Sequence, residues 1–131
     1  MYEATVETPL RPTESAGRVR QAILNIFPEA RLGGDHGTAG DAVSLDHFAE
    51  LLRRQHIRDA AHDLLTGAVR GDRMVFYLNK QAAYAGRVSF SAHAPLGDVC
   101  VTVVSENLRG LIEELTPSTV RSRSRQPSPA L

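Results

Sequence analysis

The sequence is poor in several residue types, and each shortage excludes a class of protein. It contains one cysteine, Cys100, so it cannot form an intrachain disulfide and does not depend on an oxidising compartment. No apolar run approaches the roughly 20 residues needed to cross a bilayer, and the first residues lack the basic start and apolar stretch of a signal peptide. These shortages predict a cytoplasmic protein with no membrane partner.

Motifs of catalysis are also missing. The glycine-rich loop at residues 33–41 lacks the lysine and hydroxyl that close a P-loop, because an acidic residue follows its last glycine. No Gly-x-Ser-x-Gly elbow is present, and Cys100 falls in an apolar strand where a buried structural thiol is expected. Asp59, His62 and Asp63 share a helix face, which we interpret as a solvated face. The sequence predicts a protein that is not an enzyme and needs no metal or cofactor, with a metal-dependent enzyme as a distant alternative.

The charges are unevenly distributed along the chain. The formal net charge is zero at pH 7, which disfavours a purely electrostatic nucleic-acid binder. Residues 1–50 nevertheless have a balance of −4 and residues 51–97 a balance of +4. Fourteen of the fifteen basic residues are arginine, and the one lysine is Lys80. A phosphate-binding surface is therefore expected in the basic middle segment.

Alternating polar and apolar residues predict several strands, and the helices are expected to lie on the sheet that these strands form. A weak further strand is expected beside the glycine-rich loop. The main predicted strands are residues 2–8, 73–78, 87–92 and 99–104.

Helices are predicted where apolar residues recur at three- and four-residue spacing after a capping side chain. Thr13 is expected to cap the first helix, which Pro28 ends, and Ser105 is expected to cap the last. The longest helical segment follows Ser44, but its apolar residues form two stripes on nearly opposite sides, with the slip at residues 53–56. One helix face cannot serve both stripes, so we expect a kink or two short helices with an exposed polar junction.

These elements predict one α+β domain at residues 1–115. From residue 116 to residue 131 the chain is rich in serine, arginine and proline and has little to bury, so we expect a disordered tail. The arginines of this tail either add loose phosphate contacts or serve only to keep the chain in solution.

Residues 78–86 connect two predicted strands and contain the only lysine. They are too many for a two-residue hairpin turn, so we expect a helical turn over residues 80–84. One interpretation places this segment on the exposed basic surface. The other makes it a buried strut that ties the helix junction to the sheet, with its polar side chains hydrogen-bonded to backbone.

The basic middle segment predicts an RNA-binding surface. Lys80, Arg53 and Arg54 are expected together on one exposed positive surface. Cationic side chains would contact phosphates, and amide side chains would contact 2′-hydroxyls or base edges. Tyr77 could stack a base, although packing in the sheet is the simpler account of it. The candidate RNA-binding residues are Arg53, Arg54, Arg58, Asn79, Lys80, Gln81 and Arg87.

Several motifs carry a family resemblance that spans most of residues 2–115. The most specific is Asn-Lys-Gln-Ala-Ala at residues 79–83, accompanied by Leu-Arg-Arg-Gln at residues 52–55, Gly-Arg-Val at residues 86–88 and Pro-Leu-Gly at residues 95–97. Together they resemble a family of small archaeal proteins that are described as predicted RNA-binding proteins and sometimes as predicted exosome subunits.

The resemblance implies an α+β fold with an antiparallel sheet and helices on one side, comparable to a ribosomal protein of the large subunit. It implies structured or double-stranded RNA as a partner, and an association with the exosome or other RNA-processing proteins. The expected function is non-catalytic RNA binding. The alternative is a protein-interaction subunit or homodimer, in which Asn79, Lys80 and Gln81 form a buried architectural strut.

Overall fold

The computed structural model of the protein describes residues 2–34, 36–91 and 98–117. In these residues the chain forms seven strands and five helices. The strands are β1 (Tyr2–Glu7), β2 (Arg31–Gly33), β3 (Ala39–Asp41), β4 (Val69–Arg70), β5 (Arg73–Leu78), β6 (Phe90–Ser91) and β7 (Val99–Ser105). The helices are α1 (Ala16–Ile26), α2 (Asp46–Arg54), α3 (Arg58–Gly67), α4 (Lys80–Tyr84) and α5 (Leu108–Leu115).

The strands form one antiparallel sheet in the order β2-β3-β1-β7-β5-β4, and β6 also pairs with β5. The central strand β7 pairs along its length with β1 on one side and with β5 on the other. Thr5 of β1 and Val75 of β5, for example, both lie opposite Thr102 of β7. The glycine-rich loop connects the short antiparallel strands β2 and β3 as a hairpin. The predicted single domain with an antiparallel sheet is confirmed.

Burial alternates along the three central strands, and this alternation defines the two faces of the sheet. Because successive side chains of a strand point to opposite faces, the buried residues all share one face. That face packs in a single hydrophobic core with buried residues from all five helices. The buried strand residues that form it include Ala4, Val6, Met74, Phe76, Leu78, Val99, Val101 and Val103.

The long helical segment is divided into two short helices, α2 and α3, as its two apolar stripes predict. His56 lies between them with a φ of 59°, a left-handed conformation through which an α-helix cannot continue. Because the two helices have different orientations, the apolar stripe of each one packs against the core. The buried residues are Phe48, Leu51 and Leu52 on α2, and Ala61, His62 and Leu65 on α3.

The predicted helix caps are displaced by one or two residues. Ser15, not Thr13, caps α1, and Asn107, not Ser105, caps α5; each accepts a hydrogen bond from a backbone N–H of the first turn. Ser44 lies one residue before the N-cap position of α2 and accepts the N–H of the first helical residue. Two nearby side chains at each start are able to cap a helix, so a sequence locates the start only within a turn.

The core contains a cluster of aromatic rings centred on Phe48 of α2. Its ring lies 5.8 Å from that of Phe27, 5.5 Å from that of Phe76 and 6.3 Å from that of Phe90, measured between centroids. These are all four phenylalanines of the chain. The cluster therefore joins α2 to the sheet and to the end of α1.

The strand expected at residues 87–92 is shorter than predicted in the described residues, where β6 contains only Phe90 and Ser91. The preceding backbone is bonded elsewhere: the N–H of Arg87 donates to the carbonyl of Ala82, and Val88 bonds to a side chain of the helix junction. Thr116, the first residue of the tail predicted at residues 116–131, is buried and donates a hydrogen bond to the carbonyl of Ile112, so the disorder predicted for it is wrong. The rest of the predicted tail from residue 118 and the Pro-Leu-Gly motif at residues 95–97 lie outside the described residues.

Two side chains lie differently from their predictions. His62, expected on a solvated face, is buried because α5 packs on α3, and its Nδ1 is 3.2 Å from the hydroxyl of Thr116. Cys100, expected in the core, is half-buried on the opposite face of the sheet, where partial burial raises the pKa of its thiol. Among the described helices, none is both long enough and apolar enough to cross a membrane.

Candidate functional site

Lys80 is one of the most buried polar residues of the protein. It begins α4, where the Oδ1 atom of the preceding Asn79 caps the helix by accepting the N–H of Ala82 at 2.9 Å. This short helix directs the lysine side chain inward, and Lys80 is only 3% exposed. The prediction that Lys80 lies on an exposed positive surface with Arg53 and Arg54 is therefore wrong.

The Lys80 ammonium is held by groups from the N-terminal part of the chain. Nζ donates to the carbonyl oxygen of Pro9 at 2.9 Å and to the two carboxylate oxygens of Glu14 at 3.0 and 3.2 Å. A lysine ammonium has three donors, and these contacts match them. The pair is separated by 66 residues, so it fixes the segment before α1 to the segment after β5.

Glu14 and Tyr84, which are both half-buried, complete this arrangement around the buried Lys80, and we call it the strut (Glu14, Lys80 and Tyr84). The backbone N–H of Arg11 donates to its carboxylate at 2.8 Å, and the hydroxyl of Tyr84 donates to it at 3.4 Å. The bond from Arg11, followed by the bond from Lys80 and its charge, lowers the pKa of Glu14. Burial and the neighbouring carboxylate raise the pKa of Tyr84.

Other bonds tie the same region to the rest of the fold. The amide of Asn25 on α1 donates to the carbonyls of Ala83 and Tyr84 at 2.9 and 3.3 Å. Gln55, at the end of α2, donates to the carbonyl of Val88 at 2.8 Å and accepts its N–H at 2.7 Å. Residues 79–88 are thus a joint between α1, the helix junction and the sheet.

The arginines predicted to bind RNA lie at the helix junction. Arg53 and Arg54 are exposed, and both pair with Glu50 on the same helix. Hydrogen bonds from Arg53 and then Arg54 lower the pKa of Glu50 to about 2. One carboxylate thus faces two guanidinium groups, which leaves an excess of positive charge.

Arg58 and Arg87 extend this group. Arg58 is half-buried and lines a shallow open depression with Arg53, His56 and Asp59. Arg87 is exposed and adjoins Val88, to which the Gln55 side chain is bonded. We call Arg53, Arg54, Arg58 and Arg87 the junction surface.

The remaining predicted residues lie elsewhere. Asn79 is half-buried, and its side-chain oxygen caps α4. Gln81 is exposed and lines a separate depression with Ser15, Arg18 and Tyr84. The structure therefore divides the predicted site into the junction surface, Lys80 of the strut with its neighbouring helix cap Asn79, and the exposed Gln81.

Sequence reasoning did not identify three supporting residues, namely Glu14, Asn25 and Gln55. Glu14 lies just before α1, and its carboxylate binds Lys80 of a distant segment. The sign that could have revealed it is the presence of a single lysine among fourteen arginines, because a compact ammonium fits an enclosed site that a planar guanidinium does not.

Comparison with known families agrees with the resemblance found in the motifs. A family model described as RNA binding matches residues 3–106. The chain belongs to this family. Its members among the relatives below are archaeal, and the match covers the strut and the junction surface but not the last residues of the chain.

Curated relatives and solved structures match most of this chain and most of their own length. A UPF0201 protein of Aeropyrum pernix is 39% identical over 131 residues, which cover 91% of this chain and 87% of that protein. A UPF0201 protein of Methanothermobacter thermautotrophicus is 37% identical, covering 89% of this chain and 92% of the relative. The crystal structure of a UPF0201 protein from Methanococcus jannaschii superposes with a TM-score of 0.77 at 34% identity, covering 89% of this chain and 94% of that one. A further crystal structure of a UPF0201 protein gives a TM-score of 0.83 at 36% identity, with the same coverages of 89% and 94%.

Proposed function

We propose that this protein binds structured RNA through the junction surface, without doing chemistry. The proposal is supported by Arg53, Arg54 and Arg58 at the break between α2 and α3, and by Arg87, whose neighbour Val88 is hydrogen-bonded to Gln55 at that break, in a member of a family described as RNA binding. Guanidinium groups are suited to phosphate oxygens because they present several donors in one plane.

The hydrogen bonds within the junction surface leave donors for a phosphate. Arg54 contacts Glu50 through Nε, so its two terminal nitrogens make no hydrogen bond within the described residues. Arg87 has no side-chain bond among them either, and its position is set by the backbone bond to Ala82. These donors support contacts with a phosphate backbone rather than with base edges.

Structured RNA is favoured over a flexible single strand because the junction surface offers charge without stacking rings. All four phenylalanines pack together in the core or at its margin. Single-strand binding relies on exposed aromatic platforms, whereas an RNA helix is recognised through its phosphates and 2′-hydroxyls. Gln81 is exposed and is the amide that we propose for a sugar contact, with Asn79 and Lys80 in supporting positions.

One finer proposal rests on the family resemblance alone, and it is an association with the exosome or other RNA-processing proteins. A cytoplasmic location is another finer proposal, and it rests on the composition rather than on the resemblance. The second candidate function is a protein-interaction subunit, supported by the burial of Lys80, since the family motif at residues 79–83 then serves the architecture. Gln81 is exposed and does not take part in the strut.

RNA binding is tested by titration with a double-stranded RNA at several salt concentrations. The double variant Arg54→Ala/Arg87→Ala is expected to bind at least about tenfold more weakly at low salt, and the slope of log K against log salt should fall by about 1 for each arginine removed. The matched control is Arg20→Ala/Arg109→Ala, which removes the same charge from exposed positions outside the junction surface.

The result that would overturn the proposal is equal weakening by the two double variants, because binding would then follow net charge rather than the junction surface. Absence of binding by the natural sequence at low salt would overturn RNA binding itself. Stronger binding to single-stranded than to double-stranded RNA would contradict the preference for structured RNA. Circular dichroism of both variants verifies that the fold is kept.

A further inference from the structure

One face of the sheet is not packed against any helix of the described residues. It is formed by the side chains that alternate with the core residues on the three central strands, and we call it the open face. Its residues are Glu3, Thr5 and Glu7 of β1, Cys100, Thr102 and Val104 of β7, and Arg73, Val75 and Tyr77 of β5.

The centre of the open face is largely apolar, with the hydroxyl of Thr102 in its middle row. Val75, Tyr77, Cys100 and Val104 are each half-buried, although no helix of the described residues covers them. Together with Thr102 they form a strip that runs along β7 and β5. A contiguous apolar strip bounded by charged residues is typical of an interaction surface.

The charges beside this strip are separated by sign. Glu3 and Glu7 lie on β1, and Arg73 lies two strands away on β5. Glu3 and Arg73 are in the same row, because each lies opposite Val104. Within the described part of the chain none of Glu3, Glu7 and Arg73 forms an ion pair.

We propose that the open face is the interface of a symmetric homodimer. Two sheets can pack face to face when a two-fold axis lies between them. If the two-fold axis runs parallel to β7 and above it, β1 of one copy lies over β5 of the other. Residues that lie opposite one another across the three strands then face the same set of residues in the second copy. Glu3 then faces the partner's Arg73, and Arg73 faces the partner's Glu3. The face is complementary to a second copy of itself.

The alternative axis, perpendicular to the strands, is disfavoured. It would place β1 over β1 of the second copy and exchange the rows, so that Glu3 would face the partner's Glu7. Like charges opposed in an interface cost several kcal/mol. The charge pattern therefore selects the axis parallel to β7.

A second copy fits this face better than RNA does. The carboxylates of Glu3 and Glu7 repel phosphates, and neither is neutralised by a neighbouring cation in the described residues. Arg53, Arg54 and Arg58 of the junction surface lie on α2 and α3, which pack on the other face of the sheet, so dimerisation through the open face does not depend on RNA binding.

Charge exchange tests the interface and its axis together. Sedimentation equilibrium of the full chain over a wide concentration range is expected to show a species of twice the 14.3 kDa chain mass. Glu3→Arg and Arg73→Glu should each weaken dimerisation at least about tenfold, because each creates two like-charge contacts. An equimolar mixture of the two variants should form a heterodimer, since every pair is then of opposite sign, and the double variant should dimerise like the natural sequence.

Cross-linking supplies a second readout. Cys100 lies on β7, so the proposed axis brings its thiol opposite the partner's thiol across sheets that pack about 10 Å apart. A short bismaleimide should therefore link two chains through the only cysteine, and faster at alkaline pH because burial raises the pKa of this thiol. The single charge variants should lose the cross-link, and their mixture should regain it.

Three results would overturn the proposal. The first is a monomer at every concentration, both for the full chain and for a variant ending at Pro117, which removes residues 118–131 as a competing occupant. The second is a dimer that neither single variant weakens. The third is weakened RNA binding in Arg73→Glu with no change in mass, which would assign the face to RNA.

Discussion

Replacing Lys80 by methionine is expected to lower the free energy of unfolding by about 3 kcal/mol, a large fraction of the stability of a small domain. Methionine keeps the length of the side chain and removes its charge. The carboxylate of Glu14 and the carbonyl of Pro9 then lose the donor that satisfies them. Unfolding in urea, followed by circular dichroism, measures the change.

The matched control is Gln81→Ala, at the next position of the same short helix. Gln81 is exposed, so its replacement should change stability by less than about 0.5 kcal/mol. Lys80→Arg should also destabilise, because a planar guanidinium cannot reproduce the three contacts of an enclosed ammonium. Equal stability of Lys80→Met and Gln81→Ala would show that the strut contributes nothing.

The strut also makes the free energy of unfolding depend on pH in the acidic range. The backbone N–H of Arg11, and after it Lys80, lowers the pKa of Glu14 from its ordinary value of 4.5. A carboxyl whose pKa is lower in the folded state stabilises the fold above its unfolded-state pKa, and this contribution is lost as the pH falls through the folded-state value. The natural sequence should therefore lose more stability below about pH 4.5 than Lys80→Met does.

Replacing Phe48 by alanine is expected to cost about 4 kcal/mol, the effect of removing a large aromatic side chain from a core. Phe48 is fully buried and touches the other three phenylalanines, so its loss leaves a cavity lined by Phe27, Phe76 and Phe90. Because these rings come from different elements, the cavity cannot be closed by one side-chain rearrangement.

Leu64→Ala is a suitable control for this substitution, since Leu64 is an apolar helix residue that is 37% exposed. It should cost clearly less than Phe48→Ala, because much of its side chain already contacts water. The midpoint of urea unfolding should move while its slope stays constant. Similar losses for the two variants would contradict the central place of Phe48 in the core.

The strands and the division of the long helix could be predicted from the sequence, because both follow from the spacing of apolar residues within a short segment. The alternation at residues 73–78 and the two apolar stripes around residues 53–56 each need only neighbouring residues to be recognised. The caps were displaced because Thr13 and Ser15 are both residue types that can cap a helix, and only the path of the chain decides between them.

The position of Lys80 could not be predicted in this way. A lone cation in a polar turn is solvated unless the fold supplies a partner, and here the partner lies 66 residues away in a loop. The alternation along β7 likewise shows that the strand has two faces but does not indicate which one the helices cover. Cys100 was therefore assigned to the wrong face.

The enclosure of the strut has a consequence for the surface chemistry of the protein. Lys80 is the only lysine in the sequence, and its amine is sealed in the interior. Enzymes that acetylate or ubiquitinate lysine therefore meet no lysine on the surface of the folded protein. Lys80 can be acylated only when the contact between the N-terminal segment and α4 opens. The rate of acylation at Lys80 therefore measures how often this contact opens.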